Sequence, residues 1–163
     1  MFLFMDLLKT IEEWAKIYKP MQHDPEQNRR VFFCDGDFGF RDVLQHAVPE
    51  QSPFVMLDSE INVNMSTRFN DASENVFFVV RCTDMVDDSA LYRANREALG
   101  HARRFYSYAL KNASPEDKRL VDFDKVHLSS YNIGFDGWTS VIMTIQKKEQ
   151  TNLCADEGYY VNN

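Results

Sequence analysis

The sequence predicts an α+β domain in which one mixed or antiparallel sheet carries about two packed helices, in the order α-β-β-β-α-β-β. Three features carry this reading. A long alanine-striped helical pattern runs from 88 to 111, apolar or alternating segments of strand length flank it on both sides, and 163 residues suit one domain.

The elements follow in chain order. Leu3, Leu7, Leu8, Ile11, Trp14, Ala15 and Tyr18 recur at gaps of three and four, which predicts a helix over 3–18 ended by Pro20. "KPMQHDPEQNRR" is polar with two prolines and reads as a loop or arm. "VFFC" at 31–34 is a short strand, and "FRDVLQHA" at 40–47 a short helix or irregular turn. From Pro53 to Ser66, Phe54, Met56, Ile61, Val63 and Met65 are spaced by Asp58, Glu60, Asn62 and Asn64, which predicts one long strand with a wet face. "TRFNDASEN" reads as the loop of an antiparallel hairpin, and "VFFVVRCT" at 76–83 as a central strand covered on both faces.

Asp87, Asp88 and Ser89 then open the long helix, since acids suit a helix N-terminus. Leu91, Ala94, Ala98, Ala102, Phe105 and Ala109 form its core stripe, and Arg93, Arg96, Arg103 and Arg104 occupy its flanks. The loop "ASPEDKRLVDFD" holds a helical turn capped by Ser114. Strands at 125–134 and 138–146 close the domain around an Asp136-Gly137 turn. The single domain spans 1–148, and 149–163 is a polar and aromatic arm.

Composition narrows the function. The net charge of −7 argues against tight duplex binding, which depends on neutralising phosphates. Cys34, Cys82 and Cys154 lie far apart without a Cys-x-x-Cys pair, so they read as buried free thiols of a reducing compartment. The apolar start "MFLFMDLLKT" lacks a basic leader and a small-residue cleavage site, so no signal peptide is expected, and no apolar run is long enough for a membrane span.

"FFCDGDFGF" at 32–40 spells an acidic pair, Asp35 and Asp37, and the Asp-Phe-Gly of kinases. No glycine-rich nucleotide loop and no His-Arg-Asp accompany it. A calcium loop beginning at Asp35 would need a bidentate Glu where His46 stands. The expectation is a glycine turn with solvated acids, or acids at a subunit contact. His23, His46, His101 and His127 are scattered and read as structural or surface residues, and no nucleophile elbow is present. Asp58 with Glu60 and Asp122 with Asp124 read as solvated pairs on wet strand faces. The arginine flank of the long helix is read as a protein contact.

The element order, together with the closing "YNIGFDGWTSVIMTIQ" and its polar tail with Cys and Tyr, resembles the tail-terminator and tail-completion proteins of long-tailed bacteriophages over about residues 3–148. The resemblance implies a non-enzymatic virion protein, in the particle or the bacterial host cytoplasm. It implies self-assembly into a ring, often a hexamer, that caps the tail tube or joins it to the head beside tail-tube or head-completion proteins. It carries over no catalytic residue, cofactor or metal, and no membrane or sequence-specific nucleic-acid partner. Arg93, Arg96, Arg103, Arg104, Asp35 and Asp37 are the candidate subunit-contact residues. Two alternatives stand beside it: an adaptor module of a secretion-like or conjugative apparatus, and a small metal-dependent hydrolase using Asp35, Asp37 and a distant His.

Overall fold

The structure is a computed structural model that describes residues 6–35, 42–65, 69–83, 87–135 and 137–150. The described elements are α1 (Leu7–Ile17), β1 (Val31–Cys34), a short helix α2 (42–46), β2 (Phe54–Asp58), β3 (Asn62–Met65), β4 (Phe69–Arg81), α3 (Asp88–Asn112), α4 (Asp117–Leu120), β5 (His127–Phe135) and β6 (Trp138–Gln150). They build one mixed sheet in the order β1-β2-β4-β6-β5, with β3 also paired to β4. The α+β class and the single mixed sheet are as the sequence predicts.

Each long helix forms for reasons its sequence states. The Asp6 carboxylate accepts the Lys9 backbone N–H at 3.0 Å and caps α1, and the Tyr18 N–H closes its other end on Trp14 O. Asp87 accepts from Ser89 N at 2.8 Å and caps α3. Ala94, Ala98, Ala102 and Ala109 are buried, so the α3 backbone approaches the sheet closely, with Phe105 filling the space between them. Trp14 stacks on Tyr18 with centroids 4.4 Å apart and meets Phe105 edge-on at 5.3 Å, locking α1 to α3. Beneath them Val55, Val76, Phe78, Val80, Val141, Met143 and Ile145 complete the main core.

The region 53–66 corrects the sequence reading. It is two strands, β2 and β3, both antiparallel to β4 and separated by a turn at 59–61. The Asp58 carboxylate accepts the Glu60 N–H at 2.9 Å, and the Ser59 N–H donates to Cys34 O, so local bonds divert the chain between the strands. Nor is β2 wet on one face: Phe54, Val55, Met56 and Leu57 are all buried. Val55 and Leu57 join the main core with α1 and α3, and the other face is covered by way of β1, which pairs with β2 in parallel. A parallel pair needs a crossover. The crossover contains α2, whose Leu44 packs with Cys34, Phe54, Met56, Phe77, Val79 and Trp138 into a second core on the other sheet face.

Two predicted loops are also ordered. "TRFNDASEN" is not a loop after Arg68, because β4 begins at Phe69 and pairs with β6 along its whole length. The 19–30 segment is not an arm: Met21 and His23 are buried, Asn28 donates to Met21 O and Gln22 O, and Arg30 N donates to His23 Nδ1. The Ser114 cap is present as expected: its Oγ accepts the Asp117 N–H at 3.0 Å, and Ser114 N donates in return to the buried Asp117 carboxylate. Of the Asp122/Asp124 pair, Asp122 precedes a 3-10 turn (Phe123–Lys125) and Asp124 lies within it, so neither is on a strand. β6 runs to Gln150, so 149 and 150 belong to the sheet, and the rest of the expected arm lies outside the described residues.

The closing turn uses Gly137 at φ +81°, where an added Cβ would sit 2.9 Å from Cys82 O. Gly137→Ala is therefore expected to cost about 1–3 kcal/mol through strain and displacement of that carbonyl. A drop in the urea midpoint at unchanged slope checks it, and an unchanged midpoint contradicts it.

Candidate functional site

The sequence-named residues fall into two groups that the fold keeps apart. On α3, Arg93, Arg96, Arg103 and Arg104 are all exposed. Their spacing, measured from the buried Ala94-Ala98-Ala102-Phe105 stripe, puts Arg96 and Arg103 on the outward ridge rather than the flank. Arg93 Nη1 donates to Ser89 Oγ at 3.0 Å and lies near the Asp87 carboxylate, while Arg104 turns toward α1, its Nη1 3.5 Å from Tyr18 Oη. Tyr92, at 64% exposure, and Leu110, at 37%, border the same ridge. The helix holds five basic residues against two acidic ones, so the other 138 residues hold 13 basic and 23 acidic. An acidic molecule thus presents one cationic helix.

The second group sits where β1 and β2 end. Asp35 is exposed and its carboxylate accepts from Ser59 Oγ at 3.2 Å. Asp58 and Glu60 lie beside it. The Cys34 thiol records the resulting field: burial, and then the negative charges of Asp58, Asp35 and Glu60, push its pKa up to about 12. So raised, it is no nucleophile near neutral pH. Asp37 lies outside the described residues. Among the described residues no three His, Cys, Asp or Glu side chains converge as a metal would need.

Sequence reasoning missed a third feature. His101 is buried, and its Nδ1 makes a 2.7 Å hydrogen bond with Tyr18 Oη, joining the middle of α3 to the end of α1. Glu97 Oε1 lies 3.5 Å from Nε2, and Ile17, Lys19, Pro20 and Arg104 rim a shallow cleft beside it. The Glu97–His101 spacing of four was the one available signal. No family model and no curated protein matches the chain.

His101 gives a pH prediction. Burial holds its pKa below the ordinary 6.5, against the opposing pull of Glu97. The unfolded chain then binds the proton more readily, so stability is full above about pH 6.5 and falls as pH drops toward the folded-state pKa. His23, lowered by burial as well, acts in the same direction. His101→Gln is expected to flatten part of the fall in urea midpoint below about pH 6.5. A slope identical to wild type contradicts the assignment.

Proposed function

We propose that this chain is a non-enzymatic structural protein of a phage or prophage tail, which assembles as a ring that caps the tail tube or joins it to the head. One observation carries the reading: the sheet ends in two unlike edges. β1, short and parallel to its neighbour, closes one side, and β5, nine residues long and antiparallel, closes the other. A closed ring needs head-to-tail contacts between two different surfaces of each subunit, and unlike edges on opposite sides supply them. An open strand edge readily takes up another chain. The α+β class with one mixed sheet agrees with the resemblance to tail-completion proteins, although four strands and not three precede the long helix.

The test is genetic and visual. The coding sequence is deleted from the genome that carries it, and the induced particles are imaged by negative stain. Loss of head-to-tail joining or of tail-length control is expected, with restoration by the gene supplied in trans. Normal particles without the gene, or a genome that produces no tailed particles, would overturn the proposal.

A further inference from the structure

We infer that the outward face of α3 docks onto the acidic β1/β2 end of a second copy of this chain. The inference rests on the ring reading and adds which surfaces meet. α3 packs across β4, β6 and β5, whereas α1 is the helix that lies against β1. The cationic ridge therefore stands over the middle of one sheet face, while Asp35, Asp58 and Glu60 lie where β1 and β2 end. Each chain thus presents a cationic helix face and, at the ends of β1 and β2, an acidic group. Head-to-tail stacking joins the unlike sides, while head-to-head contact sets like charges together.

The ridge also has the composition of a contact. Arg96 and Arg103 stand outward, the Arg104 guanidinium lies over Gly100 between them, and Tyr92 and Leu110 offer exposed apolar surface beside them. Arginine and tyrosine are the side chains that most often anchor interfaces. On the acceptor side, the carboxylates are fixed rather than floppy: Asp35 is bonded to Ser59 and Asp58 to the Glu60 N–H. Pre-ordered acceptors lose less entropy when a guanidinium docks on them.

The experiment is a charge swap in the full chain, read by sedimentation velocity at low and high salt, with circular dichroism to confirm folding. Arg96→Glu/Arg103→Glu and Asp35→Lys/Glu60→Lys are each expected to weaken self-association by about tenfold or more, and salt to weaken wild type in the same sense. The quadruple variant, which exchanges both signs, is expected to regain association. Assemblies of wild-type strength in either double variant, or no recovery in the quadruple, would overturn the inference while leaving the ring reading standing. A wild type that never associates would sink the ring reading itself. A wild type that stays single yet binds a heparin fragment through Arg96 and Arg103 would assign the ridge to a polyanion and overturn the inference.

Discussion

Phe105→Ala is expected to lower stability by about 3–5 kcal/mol. Phe105 is fully buried, and its ring meets Trp14 at 5.3 Å and Phe78 at 5.8 Å. It is thus the point where α3, α1 and β4 meet. Its neighbours along α3 are alanines, whose short side chains cannot extend into the space a lost ring would leave. Phe105→Leu keeps most of the volume and is expected to cost less than half as much. Leu110→Ala, on the exposed side of the same helix, should stay within about 0.5 kcal/mol of wild type. Urea unfolding followed by tryptophan fluorescence reads all three. A Phe105→Ala midpoint close to that of Leu110→Ala would mean that α3 is not seated on the sheet as described.

The second large effect concerns a charge pair within the sheet. Lys147 Nζ pairs with Glu74 Oε2 between β6 and β4, with the Lys147 side chain 5% and the Glu74 side chain 14% exposed. Val121 bridges to Lys147, and Asp122 N donates to Gln146 O, so the segment after α4 closes over this part of β6. Removing one member leaves a charge with little water to replace its partner. Glu74→Leu and Lys147→Met are therefore each expected to cost about 3–5 kcal/mol. The double variant is expected to recover most of that loss, because two apolar groups of similar volume need no partner. A double-mutant cycle from urea midpoints measures the coupling. Strictly additive losses would contradict it.

The parts of the fold that the sequence announced are those where one face of one element decides burial. The alanine stripe of α3 is such a case, as is the Leu7-Ile11-Trp14 face of α1. β4 is half legible: Val76 to Val80 read as a central strand, whereas Phe69 to Asn75 carry polar residues of low strand preference and read as a loop. What makes them a strand is distant in sequence, namely β6, whose Thr144 Oγ1 donates to Asn75 Oδ1 at 2.8 Å and whose Lys147 neutralises Glu74. The same holds for β2. Alternation at Phe54 and Met56 suggested a wet opposite face, but Val55 and Leu57 on that face join the main core with α1 and α3 while α2 covers Phe54 and Met56, and nothing local to 54–57 encodes both covers. For the candidate surface, the arginines were visible as charges on a helix. The gathering of Asp35, Asp58 and Glu60 at one end of β1 and β2 was not, because it follows from the parallel pairing of those strands. The His101–Tyr18 contact spans 83 residues and left only the Glu97–His101 spacing as a trace.

The central claim is that this chain is built to join copies of itself head to tail. Native mass spectrometry of the purified full chain, across a wide concentration range in a volatile buffer of low ionic strength, tests it most directly. The account predicts one closed species of fixed subunit number, with no open-ended ladder, growing in at the expense of monomer as concentration rises. A monomer throughout, or a two-fold dimer that stops there, would contradict it.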